Sequence, residues 1–165
     1  LPVAVMALII FTGGSTKPVD ASLVNTGKNV RGPNDAANIL VEFSDFFCPS
    51  CKTAEPYVSQ LLSKHPKDIK LIYRHFPLPQ HPLAFKASTN AEAAGIQGKF
   101  WEYKEKLFEN QEKLTENSFD EIAKNLGLDL DKFNKDKVSE TVLATVQRDL
   151  NTANKLNLNG TPPSF

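Results

Sequence analysis

Cysteine, histidine, methionine and tryptophan are scarce in this chain of 165 residues, with two, three, one and one respectively. Both cysteines fall in a single CxxC pair, Cys48 and Cys51. A tetrahedral zinc site would need further ligands, and His65, His75 and His81 supply neither a second CxxC nor an HxxxH pair. No metal is therefore assigned. Net charge is also lacking, with 19 basic against 19 acidic side chains, and the lysines are scattered along amphipathic segments. That distribution reads as a solvated face, so no nucleic-acid partner is expected. Internal repeats and low-complexity runs are absent, and the apolar fraction is ordinary for one domain with a core.

Long apolar runs are confined to Leu1 to Phe11, followed by the polar Thr12-Gly13-Gly14-Ser15 connection. The run predicts the end of a membrane-inserting segment over 1–14, either an anchor or a cleaved signal, with a buried N-terminal strand or helix as the alternative. With no initiator Met ahead of it, the true N-terminus is expected to lie upstream. A linker and lead-in over 15–35 follows, with a short strand near 22–25.

What the chain does have is the stretch Val41-Glu42-Phe43-Ser44-Asp45-Phe46-Phe47-Cys48-Pro49-Ser50-Cys51, in which a strand-like run gives way to a helix-like one. Two thiols on the first turn of a helix can close a small disulfide ring. The unpaired N–H groups and the dipole there stabilise the first thiolate. Cys48 is thus expected to be the exposed nucleophile and Cys51 the resolving thiol. Pro49 suits the first helical turn, and Ser50 adds no charge. Alternation places Glu42, Ser44 and Phe46 on one strand face and Val41, Phe43 and Asp45 on the other.

Periodicity predicts strands over 39–44 and 69–76 and a helix over 49–64 kinked at Pro56. Helices are expected near 82–97, 99–110, 118–126 and 137–156, with a short turn near 129–133. Ser118 with Glu121 reads as a capping box, and Gly127 as a helix stop. Phe100, Trp101 and Tyr103 are expected to pack, and His75 and His81 to be structural or superficial. Asp45 has no assigned role.

The chain resembles the DsbA-like branch of the thioredoxin superfamily. The resemblance rests on Arg31-Gly32-Pro33, on 41–51, on Tyr73-Arg74-His75-Phe76-Pro77-Leu78, on Gln97-Gly98-Lys99-Phe100-Trp101 and on Gly160-Thr161-Pro162. It implies an α/β thioredoxin fold over 36–165 with a helical insertion at about 82–156, and a C-terminal strand and helix beyond the visible end. It implies a cis-proline loop for substrate, Thr161, Pro162 and Pro163, with either proline as the cis residue. Glu42 takes the position of the family's buried acid, where a raised pKa suits it to accept the Cys51 proton.

The expected function is extracytoplasmic thiol:disulfide exchange that introduces disulfides into secreted or envelope proteins through the Cys48–Cys51 pair. No cofactor beyond the redox-active disulfide is implied. A membrane or soluble partner would recycle a monomeric enzyme. Alternatives are a redox-silent peptide-binding module or a metal-handling protein of the same fold.

Overall fold

The computed structural model describes residues 8–12 and 28–158. Four strands, β1 (Leu8–Thr12), β2 (Val30–Arg31), β3 (Asn38–Ser44) and β4 (Ile69–His75), form one sheet in the order β1-β3-β4-β2. β3 and β4 run parallel, with Glu42 opposite Tyr73 and Ser44 opposite His75. Both strands end in five consecutive buried residues. A parallel pair covered on both faces by helices favours such near-continuous burial.

β3 and β4 are joined by α1 (Pro49–Lys64). After β4 come α2 (Ala84–Ile96), α3 (Phe100–Glu109), a 3-10 turn (Gln111–Lys113), α4 (Glu116–Asn125), α5 (Leu130–Asp136) and α6 (Glu140–Lys155). The predicted alternation along β3 holds. Leu40 packs with Leu71 of β4 and Val58 of α1. On the opposite face Val41, Phe43 and Ile72 pack with Ala153 of α6 and with Phe76, whose ring meets Phe43 edge-on at 6.5 Å. The inserted helices close around α2, where Ala87, Ala91, Ala93 and Ala94 are fully buried. Their small side chains let Phe100, Tyr103, Leu107, Phe119 and Phe133 come close, filling the core at interior packing density.

Several local expectations shift. α1 runs continuously through Pro56. Thr115, rather than Ser118, caps α4: Ser118 sits at the third helical position and its Oγ accepts the Thr115 N–H at 2.9 Å. The same hydroxyl chemistry therefore starts the helix three residues earlier. The turn near 129–133 is the start of a true helix, because Asp129 Oδ1 accepts the Lys132 N–H at 3.0 Å. Gly127 ends α4 as expected, with φ of 72°. In the lead-in, β2 pairs with β4, and Gly32 follows it with φ of 96°. A Cβ at Gly32 would stand 2.3 Å from the Ile69 carbonyl oxygen, so only glycine fits.

Of the apolar N-terminal run, residues 8–12 are described. Leu8–Thr12 is a strand paired antiparallel with β3, Leu8 opposite Glu42 and Thr12 opposite Asn38. The β-branched Ile9 and Ile10 with Phe11 favour extended backbone, and the edge of β3 supplies the partner. Among the described residues no helix is long and apolar enough to cross a membrane. The strand expected near 22–25 lies outside the described residues.

α6 is fastened to the sheet by charge. Buried Asp149 accepts from Arg74 Nη1 at 2.7 Å and from the His75 N–H at 3.2 Å. Removing one member of a buried pair leaves the other charge without compensation. Asp149→Ala is expected to lower unfolding stability by about 3–5 kcal/mol, measured by urea denaturation. A loss below about 1 kcal/mol, the range of surface ion pairs, would contradict this account.

Candidate active site

Cys48 is the N-cap of α1, with extended backbone at φ −83° and ψ 118°, and exposed Pro49 opens the first turn. Cys51 is the third helical residue. An N-cap side chain and the third residue's side chain face one another, as in a capping box. Here two thiols occupy those places. The two thiols are not joined by a disulfide in this structure, and Cys51 is hydrogen-bonded to Cys48. That bond, reinforced by burial, pushes the Cys51 thiol far above the ordinary cysteine range. The expected exposure of Cys48 is not what the fold provides: it is 6% exposed against 2% for Cys51. Phe46 and the inserted helices pack around it, while Pro49, next in the chain, is exposed and Ser50 half-buried.

The loop before Cys48 is held by Asp45, which is fully buried. Its Oδ1 accepts the Phe47 N–H at 2.7 Å, and its Oδ2 accepts the Leu78 N–H at 2.8 Å and contacts His81 Nδ1 at 2.7 Å. The Asp45 carbonyl accepts the Cys48 N–H at 3.1 Å. From the other side Gln111 Nε2 donates to the carbonyls of Phe46 and Cys48, both at 2.9 Å. Asp45 and Gln111 thus fix the backbone that carries the first thiol. His75 is buried and pairs with Glu92 at 2.8 Å, in the structural role expected of it.

Glu42, on β3, is 1% exposed. Burial pushes its carboxyl up to about 8; Lys104 opposes this and Glu55 adds to it. Ser44 acts on both Glu42 and Cys51. Lys104 reaches in from α3, 3.8 Å from Glu42 Oε1, and is hydrogen-bonded to Glu55 of α1. Its ammonium lies 5.2 Å from the Tyr73 ring centroid, 5.4 Å from Phe108 and 5.8 Å from Trp101. Glu42 and Cys51 share Ser44 and Tyr73 as neighbours. Glu55, Lys104 and Gln111 are additions that only tertiary packing reveals. Thr161, Pro162 and Pro163 lie outside the described residues.

A carboxyl that titrates near 8 when folded and near 4.5 when unfolded binds more protons in the folded state. Its stabilising effect is complete below about 4.5 and is lost as pH rises through about 8. Glu42→Gln, which cannot ionise, should match the wild type at low pH and become more stable than it by roughly 5 kcal/mol at alkaline pH. Urea unfolding across pH checks this, and a stability difference that does not change with pH would contradict it.

With this geometry in place, the relatives of the chain are informative. The thioredoxin family's model matches residues 25–165. A thioredoxin-like oxidoreductase from Silicibacter pomeroyi superposes with a TM-score of 0.77 at 29% identity, covering 88% of this chain and 83% of that one. The thiol-disulfide exchange protein alpha-DsbA2 from Wolbachia pipientis shares the fold, with a TM-score of 0.77 at 23% identity over 86% and 77% of the two chains. In sequence, the chain is 39% identical over 140 residues to a protein named Na(+)/H(+) antiporter NhaA 1 from Mycolicibacterium vanbaalenii. That match takes in 83% of this chain and 23% of the relative, so the chain spans less than a quarter of that protein's length. The likeness is to a stretch of domain size, and carries nothing about ion transport. Family match, fold and paired thiols agree: the chain belongs to the thioredoxin family, with the architecture of its DsbA-like thiol-disulfide oxidoreductases.

Proposed function

We propose that the chain is a thiol:disulfide oxidoreductase that acts outside the cytoplasm and introduces disulfides into secreted or envelope proteins. The observation that carries the reading is the placement of Cys48 and Cys51 at the N-cap and third position of α1, with buried Glu42 sharing Ser44 and Tyr73 as neighbours with Cys51. A location outside the cytoplasm is where newly made disulfides persist.

In the oxidising direction a substrate thiolate attacks Cys48 Sγ of the Cys48–Cys51 disulfide. The S–S bond breaks and Cys51 leaves with the electron pair. A thiolate is strongly disfavoured at Cys51, and Glu42, protonated at neutral pH, supplies the proton. The substrate's second thiolate then attacks the substrate sulfur of the mixed disulfide, and Cys48 leaves as a thiolate stabilised by the N-terminus of α1. The substrate has lost two electrons and the enzyme has gained them. A membrane or soluble acceptor would take them up and restore the disulfide. In the reverse direction ionised Glu42 accepts the Cys51 proton as that thiol attacks. The segment Thr161-Pro162-Pro163 is proposed to hold the substrate chain.

Cys48→Ser is expected to abolish exchange with a reduced two-cysteine peptide, whereas Cys51→Ser accumulates mixed disulfides, read on non-reducing gels. Equal trapping by both variants, or activity left in Cys48→Ser, would sink the assignment of roles. Ser50→His places a donor of possible positive charge beside Cys48, and should make the disulfide more oxidising. Each shift of about 30 mV corresponds to roughly 1.4 kcal/mol for this two-electron couple. A glutathione equilibrium measures it, and an unchanged or lower potential would leave α1 and the surrounding loops to set the poise without help from the dipeptide.

A further inference from the structure

Asp45 ties the two cysteines to the loop after β4. Its carbonyl accepts the Cys48 N–H at 3.1 Å, and its backbone is also hydrogen-bonded to Cys51. The carboxylate of the same residue is fully buried and meets the N–H groups of Phe47 and Leu78 and His81 Nδ1. Two of these donors are fixed backbone groups. The third belongs to an imidazole with 23% of its side chain exposed. Facing a carboxylate, Nδ1 carries hydrogen whether the ring is neutral or charged, so the proton that the ring gains or loses is the one on Nε2.

His81 is held in place by its own backbone, whose N–H donates to the Leu78 carbonyl and whose carbonyl accepts the Ala84 N–H, both at 3.0 Å. It lines a cavity of about 560 Å³ walled by Phe76, Leu78, Phe85 of α2, and Leu150 and Asn154 of α6. Among the described residues no other ionisable side chain lines that cavity. Lys86, next along α2, pairs with Glu116 at 2.7 Å. Asp45 is thus the charged group that His81 faces. A carboxylate in the loop that ends at Cys48 opposes a second negative charge on that sulfur, and burial leaves the repulsion poorly screened. A proton on His81 Nε2 offsets the carboxylate charge and breaks none of its bonds.

We propose that His81, acting through Asp45, couples the charge on Cys48 to a proton, so that reduction of the Cys48–Cys51 disulfide draws a proton onto His81 Nε2. The inference rests on the thiol-exchange reading above. A substrate thiol pair that becomes a disulfide gives up two electrons and two protons. The electrons break the Cys48–Cys51 bond, one proton ends on Cys51, and Cys48 is left as the thiolate. The second proton enters water, and where the imidazole is neutral in the oxidised protein Nε2 takes one up from water in its stead. His81 makes no bond to sulfur and is a positioning residue. The coupling is reciprocal: a protonated imidazole favours the thiolate by the same factor as the thiolate favours the protonated imidazole.

His81→Asn keeps an amide donor in the place of Nδ1 and cannot take up the charge. The test compares it with the wild type from about pH 5 to 8, where an imidazole changes charge, by glutathione redox equilibrium and by the ultraviolet absorbance of the thiolate. At about pH 6 the wild type is expected to be roughly fivefold more oxidising than the variant, and its thiolate to persist to lower pH. The two converge at about pH 8. A variant displaced equally at every pH, as a role confined to holding the loop requires, overturns the coupling.

A second measurement uses the wild type alone. Proton magnetic resonance of the imidazole ring protons is expected to show His81 holding its proton to higher pH in the reduced protein than in the oxidised one. His65, at the C-terminal end of α1, is the internal control and should not respond. A His81 resonance indifferent to redox state overturns the coupling even if His81→Asn does not fold. A wild type that exchanges thiols with a two-cysteine peptide and shows neither effect overturns the coupling alone. One that shows both effects with glutathione and leaves the peptide untouched overturns the functional reading instead.

Discussion

A buried carboxyl group, Glu42, that shares Ser44 and Tyr73 as neighbours with Cys51 is the constraint around which this protein is arranged. Leaving an ionised Glu42 alone in that place would be costly, and the fold meets the problem in two ways. It holds the group neutral up to about pH 8, and it brings a cation to its edge. The cation comes from α3, a helix of the insertion, and its counter-charge from α1, the helix that carries the cysteines. The insertion is therefore part of the chemistry. Docking α3 against the sheet delivers Lys104 together with Trp101 and Phe108, whose rings enclose the ammonium.

A second constraint is backbone order around Cys48. An N-terminal thiol gains from a helix end only if the first turn is held in place. Asp45 and Gln111 do this from opposite sides, one accepting loop N–H groups and the other donating to loop carbonyls. These bonds also link the loop to the turn after β4 and to the end of α3. The buried position of Cys48 follows from the same packing.

The parts legible in the sequence are those encoded by short-range pattern. The CxxC pair at a strand-to-helix junction, the alternation that puts Glu42 and Ser44 opposite Val41 and Phe43, and the stop at Gly127 all follow from neighbours within a few residues. The capping register at Thr115 was off by one turn because two hydroxyl residues three apart both satisfy the pattern. Glu55, Lys104 and Gln111 could not be found in that way. Lys104 lies 49 residues from Glu55, and Gln111 lies 63 from Cys48. No local signal marks a lysine or a glutamine on an amphipathic helix as the one that turns inward. Asp45 was conspicuous but mute until Leu78 and His81 came to it. The resemblance to DsbA-like proteins pointed to Glu42 as an acceptor, and its burial adds that the carboxyl is held protonated at neutral pH.

The claim that Glu42 is a buried, protonated acid is tested most directly by a carbon-13 titration of its side-chain carboxyl, assigned by comparison with Glu42→Gln. The account predicts a protonated carboxyl at neutral pH that titrates near pH 8. A carboxylate already ionised at pH 6, with the midpoint of an ordinary exposed glutamate near 4.3, would contradict it.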